Sequence, residues 1–379
     1  MKIVKIILIL ATLAFGGFFG IKSSSLINAQ VRSGKDNPFA NWRPTKEVAG
    51  INYVGNQKCL NCHAEKEQLG TPMAHAILKP SDSKILDEFP SKPFKNGDYI
   101  YEVKKQGGDI TYTVSDGKNK QSFPVLYSFG EGRKAQVYIF RYKDALYESR
   151  VSFYRGIKGL DFTVAQPQQV PTTLENAVGR EIPKAELQNC FGCHSTGAVK
   201  EKKLNFDHLN EAISCEACHG PGENHIKAVV SEDANGTQIF NPANLIPLEQ
   251  TQEFCGACHI GFEQELNMPE GVNTIRFQPY RLFSSKSHDP NDARLSCTAC
   301  HNPHEKLEEN PIAYDAKCFT CHVSSPTEKM TKERFAPACP VKTTNCVTCH
   351  MPKTDVPEMH YKFTDHLIRV VRPNEKIEK

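Results

Sequence analysis

The sequence predicts a mainly α and irregular fold, with short helices and turns wound around covalently held groups and an antiparallel β region inserted ahead of them. Three observations predict it. Fourteen of the 15 cysteines stand in seven C-x-x-C-H units. Six of those units lie between residues 190 and 350, about 27 residues apiece, which leaves little chain for an ordinary apolar core. Between residues 98 and 162, polar residues alternate with β-branched or aromatic ones, the period of a half-buried strand.

Taken in chain order, residues 1–29 read as a secretory signal. Lys2 and Lys5 precede an apolar run from Ile6 to Ile21, a serine patch follows, and Ala29 is a suitable last residue before cleavage. The apolar run has 16 residues, short of the roughly 20 that span a bilayer, so an uncleaved anchor is the weaker reading. No later stretch is long and apolar enough to cross a membrane. Residues 30–95 then form an N-terminal segment with the first C-x-x-C-H unit, 96–175 a β-rich insert, and 176–379 a region with the other six units. An export signal makes the protein periplasmic or otherwise exported.

Exported chains rich in cysteine are commonly disulfide scaffolds, but this spacing rejects that. Every pair is separated by two residues and followed by histidine: Cys59, Cys62 and His63; Cys190, Cys193 and His194; Cys215, Cys218 and His219; Cys255, Cys258 and His259; Cys297, Cys300 and His301; Cys318, Cys321 and His322; Cys346, Cys349 and His350. Zinc has no need of a histidine fused to each pair. Covalent c-type haem does: two thiols at this spacing each add to one vinyl group, and the adjoining imidazole sits beneath the iron. The motifs therefore predict seven covalently bound c-type haems with these seven histidines as proximal ligands.

Fourteen histidines less seven proximal ones leave His75, His208, His225, His288, His304, His360 and His366. The equal count suggests two imidazoles on each iron, the arrangement suited to pure electron transfer because nothing binds or leaves. His225 follows His219 behind a "GPG" turn, and His304 follows His301 in "CHNPH", so each is held near one haem and directed towards a neighbour. His360 and His366 lie in "MHYKFTDHLIR" and His75 in "GTPMAHA", where Met73 is a second sulfur candidate. His288 has weaker context, and His208, in "NFDHLNE", reads most readily as a surface residue.

"CEACHGPGENH", "LSCTACHNPH", "CVTCHMPK" and "HYKFTDHLIR" resemble the motifs of the multihaem cytochromes grouped with cytochrome c nitrite reductase, hydroxylamine oxidoreductase and the tetrahaem electron carrier of ammonia oxidisers. The resemblance covers roughly Gln188 to Val370 and the first motif through His75. It implies a multihaem cytochrome fold organised around stacked haems, with His225, His304 and His366 as distal ligands. One departure matters. The typical nitrite reductases of this group carry lysine in place of one motif histidine, and none of these seven motifs does.

The insert reads as four to five antiparallel strands from about Asp98 to Phe162, punctuated by "QGGD", "SDGKNK" and "YKDA"; its expected role is to shield the first haem, with a docking surface for a redox partner as the alternative. The net charge is +3, but Lys2, Lys5 and Lys22 belong to the signal, so the remainder is near neutral. Seven haems with ionised propionates would add roughly −7 when ferric and −14 when ferrous, which favours basic partner surfaces and excludes nucleic acid. Cys339 is the cysteine left over, read as a free thiol.

These observations lead to an exported heptahaem cytochrome carrying electrons by hopping between closely spaced haems. Its partners would be other cytochromes or a membrane quinol-linked complex. Two other readings stay open: an oxidoreductase acting on a small nitrogen or sulfur compound at a five-coordinate haem, and a structural subunit of a larger electron-transfer assembly.

Overall fold

A computed structural model describes residues 39, 42–64, 67–201, 203–205, 212–231, 239–265, 273–288, 294–322 and 339–372. The signal and His208 lie outside the described residues. Short turns join most of the inserted strands, so each long strand pairs antiparallel with its neighbour in sequence. Ten strands form one sheet: β1 (Ile77–Leu78), β2 (Phe94–Asn96), β3 (Tyr99–Gln106), β4 (Asp109–Ser115), β5 (Lys120–Phe129), β6 (Ala135–Tyr142), β7 (Ala145–Ser149), β8 (Val151–Tyr154), β9 (Gly159–Phe162) and β10 (Gly179–Glu181). The main path runs β10-β7-β6-β5-β4-β3-β2, with β1 on β5, β8 on β6, and β9 on β8. Lys143 and Asp144 both take positive φ in the two-residue turn between β6 and β7, the backbone that matches strand twist in a tight hairpin.

The register follows from alternation. Tyr101 faces Val114 and Val103 faces Tyr112, all buried, while Lys104 points outward. With Phe123, Phe140, Val151 and Phe153 they make the main core, where the Phe123 and Phe140 rings stack at 4.7 Å. Each such side chain contributes about 1.5–3 kcal/mol by leaving water. Tyr138 is fully buried there, and its hydroxyl has no hydrogen-bond partner among the described residues. An unpaired buried hydroxyl costs about 1–3 kcal/mol, so Tyr138→Phe is expected to stabilise the protein by about 1 kcal/mol, read as a higher denaturant midpoint at unchanged slope.

The sheet is larger than alternation predicts. It reaches from Ile77 to Glu181 because β1, β2 and β10, two or three residues each, are recruited by pairing and are too short to show a period. The fold is thus mixed rather than mainly α: outside the sheet the longest described helix is Lys184–His194, and many others run four or five residues.

The sheet's second apolar cluster shows what the insert packs against. Ile77, Ile139, Leu146 and Ile182 pack on Phe191, the residue after the first cysteine of the second motif. The Phe191 ring meets Tyr127 at 5.7 Å and Phe129 at 5.2 Å. The sheet therefore seats the second motif. Across the insert, a C-terminal hairpin (Lys353–Val356 with Tyr361–Thr364) docks closely at Gly156, where a Cβ would lie 2.1 Å from the His360 carbonyl oxygen.

Candidate haem centres

Each motif is one helical turn. The amide of the motif histidine donates to the carbonyl of the first cysteine at 2.9 Å in Cys59–His63 and Cys297–His301, 3.0 Å in Cys318–His322 and 3.1 Å in Cys346–His350. The second and third motifs end the helices Lys184–His194 and Cys215–His219, and a π-helical turn over Glu249–Cys255 leads into Gly256–His259. In such a turn, residues i, i+3 and i+4 share a face, so both thiols and the imidazole point the same way. No disulfide joins any of the 15 cysteines.

The imidazoles are prepared as ligands. Nδ1 of His194 donates to the Ala76 carbonyl at 3.0 Å, Nδ1 of His219 to Phe240 at 2.9 Å, and Nδ1 of His350 to Arg369 at 2.9 Å. Nδ1 of His75 and of His366 likewise donate to Thr71 and Thr364, each at 3.0 Å. A carbonyl only accepts, so the proton is on Nδ1 and the Nε2 lone pair is left for a metal. Burial lowers the pKa of His194, His219, His259 and His301 and takes His366 down to about 4, keeping these rings neutral.

Two pairs of rings fit an iron between them. His219 and His304 stand with centroids 6.0 Å apart and planes within 13°, and His301 and His366 stand 6.2 Å apart. Parallel rings in direct contact would be much closer, whereas two imidazole nitrogens each about 2 Å from a shared metal put the ring centres about 6 Å apart. The residues present therefore fit haem at these positions. His219 lies close enough to His63 and to His225 for their charges to interact, as His259 does to His194 and to His301.

His360 does not join such a pair. Its Nε2 is 2.7 Å from Oδ2 of Asp161, and its ring meets the edge of Tyr154 at 5.0 Å. This contact joins residues 199 apart, and the sequence carries no sign that they would meet. His288 packs on the Phe283 ring at 5.0 Å. The thiol of Cys339 is held below its usual pKa by the amides of Lys342 and Val341.

Contacts between motifs set their spatial order, which the sequence did not show. Glu216, inside the third motif and 1 % exposed, accepts from the amides of Val54 and Gly55 ahead of the first motif, while Asn56 Oδ1 accepts from the Cys215 amide at 3.2 Å. Gly220, φ +74°, ends the third motif against Phe39, whose ring atom a Cβ would meet at 2.5 Å. Cys218 lies beside Cys255 and Cys258. Cys258 pairs with Cys193, Cys255 with Cys297 and Cys318 with Cys346, and Cys300 lies beside Cys318. Asp315, ahead of Cys318, accepts from the Cys346 amide at 2.8 Å. The motifs thus run first, third, fourth, fifth, sixth, seventh, with the second joined at the fourth.

Comparisons with known proteins bear on the class of these motifs. A family model described as "Cytochrome c554 and c-prime" matches residues 163–220, which contain the second and third motifs. A curated relative, the multiheme cytochrome MtrA of Shewanella baltica (strain OS185), is 24 % identical over 210 residues, 43 % of this chain and 61 % of the relative. The chain thus spans about three fifths of that relative's length. Among solved structures, an undecaheme cytochrome from the S-layer of Carboxydothermus ferrireducens covers 85 % of this chain and 52 % of its own, with 16 % identity and a TM-score of 0.43. The outer cell wall cytochrome OcwA covers 55 % of this chain and 37 % of its own, with 19 % identity and a TM-score of 0.30. The motif chemistry and the sequence matches support one class, the multihaem c-type cytochromes. Among the described residues, no helix is long and apolar enough to cross a membrane.

Proposed function

We propose that this protein is an exported electron carrier holding seven c-type haems through Cys59, Cys62, Cys190, Cys193, Cys215, Cys218, Cys255, Cys258, Cys297, Cys300, Cys318, Cys321, Cys346 and Cys349. The observation that supports this best is the unbroken contact order of the seven attachment turns. Bound haem supplies reversible one-electron exchange at iron. The chain's residues hold the groups in file, keep the ligating imidazoles neutral and cap the irons so that no substrate must enter or leave. His304 opposes His219 and His366 opposes His301; His75, His225 and His288 remain as ligands for other irons, and His360 leaves the set. The finer resemblance to the superfamily of cytochrome c nitrite reductase and hydroxylamine oxidoreductase belongs to this reading, carried by the motifs alone. Redox proteins with basic faces are the expected partners, because the haem propionates make the surface acidic.

One observation favours the enzymatic reading. With His360 held by Asp161, at most six histidines, His208 among them, remain for seven sixth positions, so at least one iron has another ligand or none. A small nitrogen or sulfur compound would bind there.

Pyridine haemochrome counting should return seven haems per chain, and a markedly smaller number sinks the reading. Low-temperature EPR on the same sample separates the two functions. All-low-spin iron marks a carrier, and one high-spin iron in seven that shifts with nitrite, hydroxylamine or sulfite marks an enzyme.

A further inference from the structure

The segment Thr364–Arg369 carries groups belonging to two centres. His366 faces His301 of the fifth motif at 6.2 Å, and the Arg369 carbonyl accepts from Nδ1 of His350 in the seventh motif at 2.9 Å. The Arg369 amide also donates to the His350 carbonyl at 3.3 Å. What shapes this segment is one carboxylate, Asp365, which is fully buried. Its Oδ1 accepts from Nε of Arg281 at 2.9 Å and from the Leu367 amide at 3.0 Å. Its Oδ2 accepts from Nη2 of Arg281 at 2.8 Å and from Nη1 of Arg369 at 2.9 Å. Ser285 adds a clasp, donating to the His366 carbonyl at 3.0 Å and accepting from the Ile368 amide at 2.8 Å.

We propose that Asp365 is a positioning residue that fixes the histidines of two centres at once: His366 as the sixth ligand in the fifth centre and His350 as the fifth ligand in the seventh. The proposal rests on the reading that both histidines bind iron. A fork-shaped guanidinium matches a carboxylate in one orientation, so the Arg281 pair fixes the plane of Asp365 and with it the backbone on either side. The backbone that follows Asp365 carries first the His366 ring and then, at Arg369, the carbonyl that holds the His350 ring. Removing the carboxylate frees both together. Metal ligands lose their orientation when such outer partners are lost.

The test is EPR of the full-length holoprotein with haem counting. Asp365→Asn is expected to keep seven haems, to bring one of the seven irons to high spin and to move the low-spin signal of one other. His366→Ala should bring one iron to high spin and leave the second signal alone; if it leaves every iron unchanged, His366 is not a ligand and the underlying reading is what fails. Should Asp365→Asn lose haem, Arg281→Lys, which keeps the charge and removes the fork, must shift the same two signals. Spectra unchanged in these variants, or changed at all seven irons alike, overturn the proposal.

Discussion

Glu216→Ala is expected to lower the stability of the holoprotein by about 4 kcal/mol, within the 3–5 kcal/mol range for removing one partner of a buried charged contact. The carboxylate is 1 % exposed and accepts from Val54 at 2.9 Å, Gly55 at 2.8 Å and Gly222 at 2.7 Å. Hydrogen bonds to a charged acceptor contribute about 1.5–3 kcal/mol each, and alanine leaves three amides facing a space with no acceptor. Gly55 begins the turn bearing Cys59, and Gly222 begins the helix bearing His225, so one side chain ties the first motif, the third motif and a candidate ligand together. Tyr53 reports the same enclosure: its pKa is pushed up to about 12 by burial and then by the charge of Glu216. Glu216→Gln keeps one oxygen but turns an NH2 towards a donor, so it should lose about half as much. Denaturant titration followed at the haem absorbance measures both variants, and a loss below about 1 kcal/mol for alanine contradicts the docking role.

His304→Met is expected to raise the midpoint potential of one haem in seven by on the order of 100 mV, because a thioether in place of the second imidazole favours ferrous iron within the wide range that axial ligands command. The motivation is the nearly parallel placement of His304 opposite His219 at 6.0 Å. His304→Ala should instead bring that iron to high spin. A spectroelectrochemical titration of the methionine variant should show one-seventh of the absorbance change displaced upward and the rest in place. A titration curve identical to that of the parent protein removes His304 from the ligand set.

The attachment sites were legible because their chemistry is local. Cys297, Cys300 and His301 come to one face through a single turn, and the amide of His301 closes that turn on Cys297 with no help from elsewhere. The long strands were legible for a similar reason: Tyr101 and Val103 alternate with Lys104 whatever lies across the sheet. The two-residue strand Ile77–Leu78 was not, because it is extended by its pairing to Phe129 and Ser128. Nor was Glu216 as a tie between motifs, since an acidic residue inside C-x-x-C looks like any solvated charge until its three amide partners are in place. Nor was the contact of His360, whose neighbourhood in sequence is shared with His366, while its partner, Asp161, arrives from another part of the chain.

What the sequence determined by itself, then, is short-range: seven C-x-x-C-H turns, their expected proximal histidines and the period of the insert, each set within about five residues by backbone geometry. Only the tertiary structure decided which motif neighbours which, that the sheet seats the second motif, that His304 and His366 stand opposite His219 and His301, and that Asp365 binds Arg281 and Arg369 beside His366. The reason is physical. Contacts between residues tens to hundreds of positions apart depend on how buried groups satisfy one another once the chain has closed, and that requirement leaves no periodic mark on the sequence.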